Sequence, residues 1–407
     1  MTTHELEWIK GGTVTSPAGF IAAGTLAGIK EYGPEPRLDV GLLASQRPAA
    51  AAGVFTRSQV IGAPVEVCRE RLPGASIRGV VVNSGNSNVA TGAPGLLDAR
   101  RMTALAAERV GAEEEQLLVA STGVIGRRLD MAKIEAGIAA LEPDAGSGGD
   151  FARAIMTTDT VSKSRALRVT VGDRSYTVGG AAKGSGMVHP DMATVLCFLT
   201  TDAPADPEWL QRTLRVVCAD SLNMLDVDMD TSTSDTMLVL ANGDAGGDVV
   251  DAANPAAVAL TEALREVAIA LTRELARDGE GAQTLIEVTV TGADNDADAR
   301  RAARTVVASP LIKTMVTGRD ANLGRVLMAL GRSGASLELD RTSVYIGEHC
   351  AFERGVATDV PYQVLSEAME GDEVRIRADL GVGDAKATAY GCDLTEQYIR
   401  INADYTT

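Results

Sequence analysis

The sequence predicts an α/β protein of the α+β kind, with mixed rather than all-parallel sheets. Two patterns predict it. Short β-branched runs interleave with longer amphipathic ones along the chain, and several are joined as hairpins, as around Gly172-Asp173. The regular strand–helix–strand alternation of a doubly wound sheet is missing. At 407 residues the chain can bury a large core and divide into more than one unit.

Composition narrows the function classes. Hydrophobic residues make up 45% and charged residues 23%, ordinary for a globular protein. Lys and Arg number 38 against 55 Asp and Glu, a net charge of −17 that repels phosphate backbones and anionic lipid. Nucleic-acid and membrane partners are therefore not expected. The cysteines at 68, 197, 218, 350 and 392 form no C-x-x-C pair, and the histidines at 4, 189 and 349 give no zinc spacing. Reduced thiols in a cytoplasmic protein without a metal are the expectation. Met1-Thr-Thr-His-Glu-Leu-Glu lacks the basic start and apolar core of a secretion signal, and no apolar run has membrane-span length.

In chain order, Leu38–Leu43 and Ala50–Phe55 read as strands among small residues. Arg78–Asn83 is a strand running into Ser84-Gly-Asn-Ser-Asn-Val-Ala-Thr-Gly92, a polar loop that either lines a site or forms a turn network. A helix from about Leu96 to Val110 precedes the strand Leu117–Ala120, which ends in Ser121-Thr-Gly-Val-Ile-Gly126. A hydroxyl beside a glycine past a strand can hold donors toward developing negative charge, or can simply turn the chain into a helix. Helices follow near Met131–Leu141 and from Phe151 into Met156-Thr-Thr-Asp159, then a hairpin over Ala166–Val171 and Ser175–Val178. Asp206–Asp220 is a helix with Pro207 in its first turn. The carboxylates of Asp226-Val-Asp-Met-Asp-Thr-Ser-Thr-Ser-Asp235 lack the turn glycine and closing Glu of a calcium loop, so they read as a polar buttress. Thr236–Ala241 is a strand, and Asn254–Arg277 is a helix stopping at Asp278-Gly-Glu-Gly281. Beyond it come a strand over Leu285–Thr291, helices over Asp296–Val307, Gly318–Leu330 and Tyr362–Met369, and strands near Ser336–Leu339, Ser343–Ile346, Glu373–Asp379 and Lys386–Tyr390. The last residues are expected to fray.

The most informative stretch is Lys183-Gly-Ser-Gly-Met-Val-His-Pro-Asp-Met-Ala-Thr194, followed by the apolar run Val195–Leu199. Glycines and Pro190 constrain a loop that delivers a hydroxyl residue, preceded by small Ala193, to the start of a buried strand. A threonine hydroxyl attacks poorly unaided. Once the peptide bond before it is broken, its own α-amine, of unperturbed pKa near 8, can serve as base. The same pattern also fits a glycine-rich turn feeding a core strand.

This stretch resembles the processing site of the ornithine acetyltransferase family, also called glutamate N-acetyltransferases. Further similarities run from Thr15-Ser-Pro-Ala-Gly-Phe20 to the C-terminus. The resemblance implies a four-layer α/β/β/α core over residues 1–280, with a smaller α+β domain over 281–407. It implies autocatalytic cleavage between Ala193 and Thr194 into chains 1–193 and 194–407, which assemble as a heterotetramer of two αβ pairs or more. Thr194 would be the nucleophile that carries the acetyl group, with Thr122 and Gly123 as the oxyanion hole. Thr157, Lys183, Thr194, Glu280, Asn402 and Thr407 would contact substrate. N-acetylornithine would give the acetyl group and glutamate take it, with no cofactor. Two departures stand out. Gln283-Thr284 replaces the family's common Thr-Lys, and Ala321 and Leu323 stand where it has Pro and Trp. They leave open a related acyltransferase or amidase with another amine or acyl donor, or an inactive processed paralogue. A nucleotide-binding regulator using Ala182-Lys-Gly-Ser-Gly186 is a further alternative, but the order of residues is wrong for a phosphate loop.

Overall fold

The computed structural model describes residues 4–30, 37–189 and 195–404. The chain opens with strands β1 (His4–Trp8), β2 (Phe20–Thr25) and the long β3 (Val40–Phe55). Helix α1 (Ala63–Arg71), strand β4 (Gly74–Asn86), helix α2 (Gly92–Val110), strand β5 (Leu117–Val124) and helices α3 (Met131–Ala139) and α4 (Gly148–Ala154) follow. Then come β6 (Lys163–Val171), β7 (Arg174–Lys183), β8 (Leu196–Thr201), α5 (Pro207–Asp220), β9 (Leu225–Asp226), β10 (Thr236–Ala241) and α6 (Ala257–Arg277). The C-terminal part holds β11 (Leu285–Ala293), α7 (Asp296–Val307), α8 (Pro310–Gly318), α9 (Leu323–Gly331), β12 (Ser343–Ile346), β13 (His349–Glu353) and β14 (Val356–Ala357). It closes with α10 (Tyr362–Glu367), β15 (Glu373–Asp379), β16 (Ala385–Cys392) and α11 (Glu396–Asp404).

Local chemistry sets several boundaries. The Asp206 carboxylate accepts the Trp209 N–H at 2.7 Å and caps α5, whose first turn holds Pro207. Asn295 caps α7 through the Asp298 N–H at 3.0 Å. Gly111, at φ 62°, ends α2 in the left-handed conformation that glycine adopts without penalty.

The first sheet runs β1-β6-β7-β8-β10-β3-β4-β5, with β2 also paired to β3, and it mixes parallel and antiparallel ladders. Strand β3 is its hinge. Its first half pairs with β2, its second half pairs with β10, and β4 runs along both, with register slips between Ala44 and Ala49 and between Ala49 and Ala51. Side chains then alternate between cores. Leu43, Val80, Val82, Leu118 and Ala120 on one half share a buried cluster with Leu196, Phe198, Leu238 and Leu240 on the other. Helix α4 wedges in there, its Phe151 ring 5.2 Å edge-on from Phe198. The outer faces bury Leu42, Val81 and Val119 against α1, α2 and α3, and Val54, Cys197 and Val239 against α5 and α6. The result is α/β/β/α layering with mixed sheets, as expected.

The second sheet runs β14-β13-β12-β15-β11-β16-β9, and α7, α8 and α9 cover one face of it. Helix α6 packs on β6 and β7 of the first sheet and also on β16, β11 and β9 of the second. Among the described residues no helix is long and apolar enough to cross a membrane.

Several expected boundaries move. The strands anticipated at Leu38–Leu43 and Ala50–Phe55 are one strand, because small Ala residues let a slipped register continue rather than break. Thr122, Gly123 and Lys183 lie inside strands rather than past their ends. Ser336–Leu339 is not a strand: Leu339 is exposed and the Ser336 N–H is taken by Asp298 at 3.1 Å instead of a ladder. Helix α8 begins at Pro310, a start signal the sequence reading passed over. Helix α11 runs from Glu396 to Asp404, and the last residues, 405–407, for which fraying is the expectation, lie outside the described residues.

Candidate active site

Parallel strands β4 and β5 reach the site together, Ser84 opposite Thr122 and Gly85 opposite Gly123. Gly123 has φ 127°, and a Cβ there would lie 2.3 Å from the Gly85 carbonyl carbon. Only glycine fits this close crossing of two backbones.

Lys183, the last residue of β7, is buried, and its Nζ donates to Thr122 Oγ1 at 3.2 Å. Burial lowers its pKa and the Lys163 cation adds to the effect, while Asp159 opposes it. Behind it lies a buried ionic network. Lys163 Nζ donates to Asp159 at 2.7 Å and to Asp278 at 2.5 Å. Asp159 also accepts the Gly184 N–H at 2.7 Å and the Thr157 N–H at 3.0 Å. Asp278 accepts from the N–H and hydroxyl of Thr160. Burial alone would raise the pKa of Asp159, but Lys163, Lys183 and these hydrogen bonds reverse it and hold it at about 2.

Glu280 follows this network directly. Its N–H donates to the Ser185 carbonyl at 2.7 Å, and its carboxylate accepts from Asn402 Nδ2 at 2.8 Å. Gly186 leaves room for it, since a Cβ there would come within 2.4 Å of the Glu280 carboxyl carbon. The carboxylate of Asp228 accepts the N–H groups of Met187 and Val188 at 2.6 and 2.8 Å, and the Tyr398 hydroxyl at 3.2 Å. The 228–235 segment thus buttresses the loop, as read from its composition. Burial pushes Asp235, also in this wall, well above the usual carboxylate range.

These groups enclose one cavity of about 150 Å³, into whose wall Thr122, Gly123, Thr157, Lys183, Glu280 and Asn402 all come. Val195 and Leu196, which follow position 194, line it too. Thr194, Ala193 and Thr407 lie outside the described residues. Among the described residues no group of three or more His, Cys, Asp or Glu is arranged to hold a metal. Asp235 belongs to the segment read from the sequence as a buttress, whereas Tyr398 was missed. The spacing of Tyr398 and Asn402, one helical turn apart, was the available signal for it. Gln283 and residues 321–323 do not line the cavity. The Gln283 N–H bonds Asp393 at 2.8 Å, while Ala321 and Leu323 pack in the core of the second sheet.

The sequence profile of the ArgJ family matches residues 21–407. The Arginine biosynthesis bifunctional protein ArgJ of Symbiobacterium thermophilum is 48% identical over 406 residues, 99% of this chain and 100% of that one. The protein of the same name from Bacillus subtilis is 43% identical over 397 residues, 97% of each. Among solved structures, the chain is similar to the Arginine biosynthesis bifunctional protein argJ of Bacillus halodurans. That likeness has 38% identity and a TM-score of 0.49, and covers 51% of this chain and 97% of that one. The Ornithine Acetyltransferase of Mycobacterium tuberculosis complexed with ornithine is 40% identical, covering 47% of this chain and 100% of that one, with a TM-score of 0.42.

Proposed function

The chain belongs to the ArgJ family, and on that premise we propose that it is an ornithine acetyltransferase of arginine biosynthesis working through an acetyl-threonine. The bond between Ala193 and Thr194 is cut autocatalytically, which frees the Thr194 α-amine. Thr194 Oγ attacks the acetyl carbon of N-acetylornithine and its proton passes to that amine. Thr122 and Gly123 stabilise the oxyanion. The C–N bond then breaks, the departing ornithine amine takes the proton, and the acetyl group stays on Thr194. The amine of glutamate attacks this ester, the proton returns to Thr194 Oγ, and N-acetylglutamate leaves. Thr157, Lys183, Glu280, Asn402 and Thr407 hold the amino-acid parts of the substrates. No cofactor takes part. The enzyme works in the cytoplasm as two or more pairs of chains 1–193 and 194–407.

One observation carries this reading: separate segments bring Thr122, Gly123, Thr157, Lys183, Glu280 and Asn402 to a single cavity at the start of the strand after position 194. The departures at 283, 321 and 323 lie away from that wall, which favours the family's substrates over an altered amine. Denaturing electrophoresis tests the first step: wild type gives two fragments of comparable size and Thr194→Ala a single intact chain. Mass spectrometry after brief exposure to N-acetylornithine tests the second, with an acetyl adduct expected on Thr194. A threonine that stays unmodified during turnover rejects the covalent route.

A further inference from the structure

A second cleft, of about 540 Å³, backs onto the first. The same two segments separate them: Met187 and Asp228 face the catalytic cavity, while His189 and Met229 face this cleft. Arg300, Arg301 and Arg304 line it from one side of α7, and Arg332 lines it just past α9. No Asp or Glu is among its described lining residues, although the chain carries a net charge of −17. Arg300 reaches out to Asp220 at 2.7 Å and Arg301 pairs with Asp298. Arg332 Nη2 has the Thr305 carbonyl at 3.4 Å.

Arg304 makes the connection that matters. Its Nη2 lies 3.1 Å from His189 Nε2, and His189 Nδ1 lies 2.7 Å from Asp226 Oδ1. A guanidinium only donates, so Nε2 accepts and the proton sits on Nδ1, donated to Asp226. Asp226 in turn pairs with buried Lys313 at 2.9 Å. A chain of contacts therefore runs from the cleft through His189, the residue before 190–194, to the core of the second sheet.

We infer that this cleft is a second binding site, for a phosphorylated small molecule, and that its occupancy is sensed at His189. Guanidinium forks match phosphate oxygens in pairs, and four of them in one concavity make a local positive field on a chain of net charge −17. A phosphate oxygen competing for Arg304 withdraws the donor from His189 Nε2 and changes the environment of the imidazole.

Calorimetry at low salt with pyrophosphate as the probe, and citrate as a carboxylate polyanion of similar charge, tests the site. Pyrophosphate is expected to bind at least tenfold more tightly than citrate, and its affinity to fall at least tenfold in an Arg301→Ala, Arg332→Ala double variant. Both side chains are exposed, and an unchanged melting temperature shows the variant folded. The sequence has only three histidines, so imidazole resonances read the second half of the claim, with His189 assigned through His189→Gln. Saturating pyrophosphate is expected to shift the His189 signal and leave His4 and His349 in place. Absence of binding in wild type, equal binding of citrate, undiminished binding in the double variant, or an unmoved His189 resonance each overturns the proposal. None of these readouts needs turnover, so the result is independent of acetyl transfer.

Discussion

A methyl group at Gly123 would sit 2.3 Å from the Gly85 backbone, so the two strand ends must part to admit it. Gly123→Ala is expected to lower kcat roughly 10²- to 10³-fold, the loss seen when an oxyanion donor is removed, with a lower urea midpoint from the strained crossing. Steady-state kinetics and urea titration check both. Lys163 presents a different dependence. Replacing it by Met leaves Asp159 and Asp278 facing each other without their shared cation, which is expected to cost about 3–5 kcal/mol of stability. The pH behaviour follows from Asp159. Its folded pKa of about 2 lies below the unfolded value near 3.9, so its contribution is complete above about pH 4 and fades as pH falls toward 2. In Lys163→Met that depression is largely lost, so acid unfolding followed by circular dichroism should begin at higher pH. Thr122, Lys183 and Glu280 each stand in a distinctive short run, so the family resemblance could pick them out of the sequence, and all three line the one cavity. Asp159 as an ionic centre was not legible there, since its partners Lys163, Gly184 and Asp278 meet it only through tertiary packing.

At the scale of elements, α11 carries more than a chain end usually does. Tyr398 and Asn402 on this helix reach Asp228 and Glu280, and no residue of α11 is fully buried. Little apolar burial holds it, so its docking rests on these polar contacts. Deleting residues 396–407 is expected to leave the melting temperature within about 2 °C while raising KM at least tenfold, and Asn402→Ala to reproduce part of the KM change. A large fall in stability would instead make the helix a structural clasp. Elements with a strong local signal, such as amphipathic α7 at Asp296–Val307 and the continuous apolar run of β10 at Thr236–Ala241, could be read to the residue. Those set by partners could not. Whether Ala44–Ala49 breaks a strand or slips its register depends on β4 and β10, which lie far away in sequence.

For the molecule as a whole, the order β7-β8-β10-β3 matters most. Two strands that follow position 194 are laced between two that precede it, with backbone ladders on both sides. If the chain is cut there, native mass spectrometry should find the two pieces together, and only denaturant should part them. Thr194→Ala, one continuous polypeptide, should refold from urea at a rate independent of protein concentration. The cut form should refold as a second-order reaction, or fail to. Heat resistance of the mature protein then becomes a matter of how slowly it opens rather than of an equilibrium it can revisit. Under the proposed cut, maturation would act as a ratchet: the chain would fold once while its halves are tethered, and the tether would be spent in making the catalyst.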